Sequence, residues 1–208
     1  MNTRNTMTIG GLIATAALSL PASGAILTTT GLVTQIPAPL SCAPTVLLGN
    51  TAWAWDELQG FASASLPVDM VNFPGASNGA PIAGNLTGVY DSHFLHLDGA
   101  ALIFSATGTI TFDGPIVGLI FNATSLDNTD IFPGAPGTTY PTFFPNRGLN
   151  TTFPSWVTVA GTTMSFNLNT VSPILELGEV RVITRKVPAP GAGALLALSG
   201  GLALRRRR

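Results

Sequence analysis

The sequence predicts an all-β fold, a single antiparallel β-sandwich of jelly-roll-like type, flanked by an N-terminal signal helix and a C-terminal membrane helix. Three observations predict it. Thr163-Met164-Ser165-Phe166-Asn167-Leu168 alternates polar and apolar residues strictly, the period of a strand with one wet face. Short runs rich in Thr, Val, Ile and Phe are punctuated by turn signals such as Asp113-Gly114. Between 26 and 184 no long apolar stripe recurs at the 3.6-residue period of a helix.

Taken in order, the chain starts with Arg4, an apolar stretch from Ile9 to Leu20, and Pro21-Ala22-Ser23-Gly24-Ala25. A basic start, an apolar core and small residues before the cut describe a secretory signal peptide over 1–25. A strand-like Ile26-Leu27-Thr28-Thr29-Thr30 follows. Strands are expected over 32–36, 46–48, 51–58, 66–71 and 90–97. Two more, 102–112 and 115–121, flank the Asp113-Gly114 turn, and 156–159 joins 163–168 through Ala160-Gly161-Thr162 as a hairpin. Met164, Phe166 and Leu168 should face the core. A last strand, 179–184, closes the domain assigned to 26–184. Nine or more strands in one open sheet would curl or split, which is why two packed layers are expected. No repeat of 20–50 residues is present, so a solenoid or propeller is excluded.

The chain closes with VPAPGAGALLALSGGLALRRRR, and 185–208 is read as a separate processing segment. Its apolar run, 191–204, would make a helix about 21 Å long, short of a hydrocarbon core of about 30 Å. Arg205, Arg206, Arg207 and Arg208 would stay on the cytoplasmic side. A short span behind a basic stop makes a weak anchor, suited to an intermediate. This order resembles the PEP-CTERM sorting signal of bacteria that make extracellular polysaccharide, with Val187, Pro188, Ala189 and Pro190 at the Pro-Glu-Pro motif and Ala189 in the glutamate's place.

Words within the domain are also similar to those of secreted proteins with such tails. They include Trp55-Asp56-Glu57, Asp91-Ser92-His93-Phe94-Leu95-His96, Arg147-Gly148-Leu149 and Val180-Arg181-Val182-Ile183-Thr184, spread over 50–184. The resemblance implies a β-sandwich module with no catalytic residue to transfer. It further implies an exosortase-type processing enzyme as partner and the inner membrane as a transient anchor. The destination is the cell surface or extracellular space, with polysaccharide as a candidate partner.

Charge agrees with export. All ten acidic residues fall between 26 and 186, against Arg147, Arg181, Arg185 and Lys186, a balance of −6. An acidic domain without a basic stripe is no nucleic-acid binder. Cys42 is the only cysteine, so no internal disulfide forms, and a buried thiol is the simplest reading of it.

The candidate sites are sparse. His93 and His96 fall on opposite faces of a strand and cannot share a metal, whereas Asp91 with His93, and His96 with Asp98, can share a face. Asp56 and Glu57 also point apart, and Glu176 with Glu179 is the other carboxylate pair considered. Ser, His and Asp are present without a Gly-x-Ser-x-Gly elbow. Asp127-Asn128-Thr129-Asp130 reads as an oxygen-rich turn that lacks the spacing of a calcium loop. Trp53 and Trp55 share a face, either as core or as an aromatic platform for sugar rings. The expected function is a structural or adhesive protein of the envelope or exopolysaccharide layer, without catalysis, cofactor or metal. The alternatives are a carbohydrate-binding module, through Trp53 and Trp55, and a secreted hydrolase.

Overall fold

The computed structural model describes residues 25–73, 81–101, 103–149, 154–171 and 176–186. The signal segment before 25, the Val187–Pro190 motif, the 191–204 run and Arg205 to Arg208 lie outside the described residues. The described residues form β1 (Ile26–Gly31), β2 (Val33–Gln35), β3 (Leu48–Gly49), β4 (Ala52–Asp56), β5 (Phe61–Val68), β6 (Gly84–Gly99), β7 (Ile103–Phe112) and β8 (Ile116–Ile120). Then come the helix α1 (Ala123–Thr129), β9 (Arg147–Gly148), β10 (Trp156–Ala160), β11 (Thr163–Val171) and β12 (Leu177–Arg185).

The alternating stretch behaves as its period dictates. β10 and β11 pair from Trp156–Asn167 to Ala160–Thr163 around Gly161, whose φ of +63° is the left-handed turn conformation that glycine adopts without strain. Met164, Phe166 and Leu168 are fully buried, and the residues between them are half-exposed. β11 pairs antiparallel with β7, and β7 with β1, giving a four-stranded sheet ordered β1-β7-β11-β10.

A second sheet runs β2-β4-β6-β12-β8, with β3 and β5 on β6 and β9 on β12. One core joins the two sheets. Ala106, Ile110 and Phe112 of β7 and the three apolar residues of β11 meet Ala52 and Ala54 of β4, Leu95 and Leu97 of β6, and Val180 and Val182 of β12. The expected antiparallel arrangement needs correcting, because the sheets are mixed. β2 runs parallel to β4, β3 to β6, and β9 to β12. Short edge strands of two or three residues reach those positions through loops, so no long crossover is required.

The larger sheet is covered on its other face as well. Trp55, Phe94 and Ile183 pack there under Leu126 of α1, Ala135, Tyr140 and Cys42. Hence β6 is buried without a break from Tyr90 to Gly99, and β12 from Leu177 to Thr184. The turn expected at Asp127–Asp130 is instead the end of α1. Asp69 makes this helix possible from outside it. Its carboxylate accepts the Phe121 and Asn122 amides at 2.7 and 2.8 Å and the Ser125 hydroxyl at 2.6 Å, pinning the chain as it enters α1.

Candidate functional site

Pleat geometry sends alternate residues of β4, β6 and β12 to opposite faces, and the chain's ionisable groups follow it. The face toward the four-stranded sheet takes Asp56, His93 and Thr184. His93 Nδ1 lies 2.7 Å from Asp56 Oδ1, and its Nε2 lies 3.0 Å from the Thr184 hydroxyl. The covered face takes Glu57, Ser92, His96, Glu179 and Arg181. His93 and His96 are therefore on opposite faces, as are Asp56 and Glu57.

On the covered face, two guanidiniums organise a buried ion cluster. Arg181 donates to both oxygens of Glu57, at 2.7 and 3.0 Å, and to Thr129 and Asp130 at 2.6 and 3.2 Å. Its guanidinium carbon lies 4.9 Å from the centre of the Phe94 ring and 5.2 Å from that of Tyr140. Arg147 donates to Glu179 at 2.6 Å, to Asp127 at 2.9 Å and to Asp130 at 2.6 and 3.2 Å. Asp130 thus bridges the two cations. Ser92 donates to Glu57 at 2.6 Å, and the Tyr140 hydroxyl donates to the same carboxylate. Fork-shaped donors against carboxylates are the geometry in which a buried pair repays its desolvation.

The electrostatics follow from this packing. Burial works against the charge on Arg147, but Glu179 and Asp130 outweigh it and hold the guanidinium above its ordinary range. Burial likewise opposes Arg181, and Glu57 more than compensates. Glu179 is pushed up by burial and pulled down further by Arg147 and His96, so it ends below the usual carboxylate range. Burial raises the Tyr140 phenol, and the adjoining Glu57 charge raises it again.

No family model, curated protein or solved structure matches this chain. Chemistry must therefore be judged from geometry alone. Cys42, His96 and Glu179 bring ligand atoms within 4.8 Å of one another, in the chemical order of nucleophile, base and orienting carboxylate. Two facts weigh against using them. Both Glu179 oxygens already accept, one from His96 Nδ1 at 2.9 Å and one from Arg147, so an incoming cation would meet a guanidinium. All three residues are fully buried, and burial pushes the Cys42 thiol up, away from the thiolate that attacks or ligates. Asp98 shares the face of His96 as expected, but binds the Thr45 amide rather than the histidine. Glu176 accepts from the Val171 amide at 2.9 Å.

Trp53 and Trp55 do share a face, and that face is covered. Trp55 is 0% exposed, with its ring centroid 5.0 Å from that of Phe94. Trp53 is half-buried and its indole N–H donates to the Leu47 carbonyl at 2.7 Å. The pair is core, so it forms no sugar platform. Trp55→Ala should accordingly cost about 3–5 kcal/mol, read as a lowered urea midpoint, because it empties a packed site. An unchanged midpoint would return Trp55 to the surface.

Sequence reasoning missed the cluster of Glu57, Asp130, Arg147, Glu179 and Arg181 as a unit. The available signal was scarcity: with only four basic residues between 26 and 186, two sit singly among apolar neighbours, Arg147 beside Gly148-Leu149 and Arg181 within Val180–Thr184. A lone arginine in an apolar strand needs a buried carboxylate.

Proposed function

We propose that this chain is an exported structural or adhesive protein of the cell surface or the exopolysaccharide-rich matrix. A jelly-roll-like sandwich is flanked by a signal helix and a membrane helix, and is delivered through the PEP-CTERM-like tail by an exosortase-type enzyme. The supporting observation is how the domain joins that tail. The last strand, β12, is an interior strand of the larger sheet, hydrogen-bonded to β6 along eight residue pairs from Gly178 to Arg185 and to the edge strand β8 on its other side. It also carries Glu179 and Arg181, whose ion pairs reach β4's end, β6, α1's end and β9. While the precursor is anchored, a pull on the tail would load a strand paired on both sides rather than a sheet edge. The ionisable groups of this region are spent on one another, which suits structure more than catalysis.

Fractionation tests the reading. With an exosortase present, the expected product is a species lacking 187–208 outside the inner membrane, and replacing Arg205 to Arg208 by glutamine should leave uncut precursor. Parent precursor retained whole in the inner membrane would overturn it.

A further inference from the structure

We infer that cutting the leader away between Ala25 and Ile26 creates a structural ion pair, in which the freed ammonium of Ile26 docks on Asp56 and ties the first strand to the larger sheet. The inference rests on the export reading and states what the first cut does to the fold. The acceptor is already in place. The Ile26 amide donates to Asp56 Oδ1 at 3.0 Å, and Ile26 is itself a core residue, 5% exposed. It opens β1 in the four-stranded sheet, whereas Asp56 closes β4 in the larger one. The same Asp56 oxygen lies 2.7 Å from His93 Nδ1, and His93 Nε2 lies 3.0 Å from the Thr184 hydroxyl on β12. Polar contacts thus run from the head of the domain to its last strand. They pass through a buried histidine whose ring centroid is 4.6 Å from that of Phe112.

Charge identifies the amine as the partner Asp56 lacks. Between 26 and 186 four basic residues face ten acidic ones, and Arg147 and Arg181 are engaged in the buried cluster. Among the described residues Asp56, with its side chain 31% exposed, pairs with His93 and with no lysine or arginine. A signal peptidase adds one water across the Ala25–Ile26 bond. Ala25 leaves on the leader as a carboxylate, and the Ile26 nitrogen becomes an ammonium, its charged form at neutral pH. A neutral donor is thereby replaced, at the same atom and against the same acceptor, by a charged one, and charge-assisted hydrogen bonds are about twice as strong. The place Ala25 vacates is half-exposed, so water reaches the other N–H groups of the ammonium. Water also reaches the Asp113 amide, which had donated to the Ala25 carbonyl at 3.1 Å. Timing follows from burial. Ile26 is too enclosed in the folded domain for a peptidase to grip, so the cut precedes folding and the amine docks as the two sheets close.

The test is expression of the full chain in a bacterial host with a signal peptidase, then N-terminal sequencing and urea titration of the product, read by pulse proteolysis. Four chains are compared: the parent, Asp56→Asn, a chain with one glycine inserted between Ala25 and Ile26, and the combination of both changes. The glycine keeps the cut after Ala25 and takes Ala25's place, turning the Ile26 nitrogen back into an amide. The parent should begin at Ile26. Asp56→Asn should raise the unfolding equilibrium constant about fivefold to tenfold more in the parent than in the glycine chain, the difference between a charged and a neutral donor. A second measurement needs no stability difference. An N-hydroxysuccinimidyl ester should acylate the Ile26 amine about tenfold more slowly than the inserted glycine's amine, since the enclosed amine reacts only after local opening. The inference is overturned if the mature chain begins anywhere but Ile26, if Asp56→Asn costs the same with and without the glycine, or if the two amines react equally fast. The same samples separate the two ideas. An uncut leader removes the export reading together with the pair, whereas a cut after Ala25 without coupling removes only the pair.

Discussion

Arg181→Met is expected to destabilise the domain by about 3–5 kcal/mol, enough to unfold many proteins of this size. The change leaves Glu57, 6% exposed, without either of the two hydrogen bonds Arg181 supplies, and leaves Asp130 and Thr129 short of one donor each. The size of the effect comes less from a lost attraction than from a carboxylate abandoned in low dielectric. It follows that removing both charges should be milder. Glu57→Leu with Arg181→Met should recover a large part of the loss, since apolar side chains can fill the space between Phe94 and Tyr140. Urea unfolding of the parent, both single variants and the double variant gives the coupling directly. A single variant within about 1 kcal/mol of the parent would mean that Arg181 does not hold the Glu57 charge.

How much of this was legible in the sequence depends on the number of covered faces. β11 was legible over 163–168, because one of its faces is wet and its polar residues mark that face: Met164, Phe166 and Leu168 lie in the core as the alternation requires, and the strand continues to Val171. β12 shows similar alternation in Glu179-Val180-Arg181-Val182, yet both faces are buried, and there the polar positions mark an ion cluster instead of solvent. Alternation alone cannot distinguish the two cases, since it reports a difference between faces and says nothing of what lies over the polar one. The covering segment hid itself for a related reason. α1 is only seven residues long, and the acceptor for the amides leading into it is Asp69, 52 positions before Phe121, so no local capping pattern announces it. The partners of the cluster are equally remote, with Glu57 and Arg181 separated by 124 positions. The tryptophan pair illustrates the ambiguity from the other side. Their spacing correctly placed Trp53 and Trp55 on one face, but the layer covering it comes from two remote stretches, Cys42 and Leu47 on one side and Leu126, Ala135 and Tyr140 on the other.

The second large effect is on the pH dependence of stability, and it turns on Glu179. Burial raises its pKa, Arg147 and His96 lower it more, and the net position is below the usual carboxylate range. A group with a depressed folded pKa contributes its full stabilisation above the unfolded value, about 4.3 for glutamate, and loses it as pH falls through the folded value. Stability should therefore decline steeply below about pH 4. Asp98 acts in the opposite sense. Burial raises its pKa, so the folded protein binds that proton more tightly than the unfolded chain, and its contribution grows as pH falls toward about 3.9. The two act in opposite directions, Asp98 adding stability as pH falls toward its unfolded value and Glu179 removing it below about pH 4. Glu179→Gln should be about 3 kcal/mol less stable than the parent at pH 7, because Arg147 loses a charged acceptor at 2.6 Å. It should also decline less steeply below pH 4, having no carboxylate left to protonate there. Asp98→Asn should do the reverse, removing the rise on the acidic side while keeping the steep fall. Urea midpoints measured from pH 3 to pH 8 on the three proteins separate these contributions. If the Glu179→Gln curve ran parallel to the parent's below pH 4, Glu179 would not be the source of the acid sensitivity.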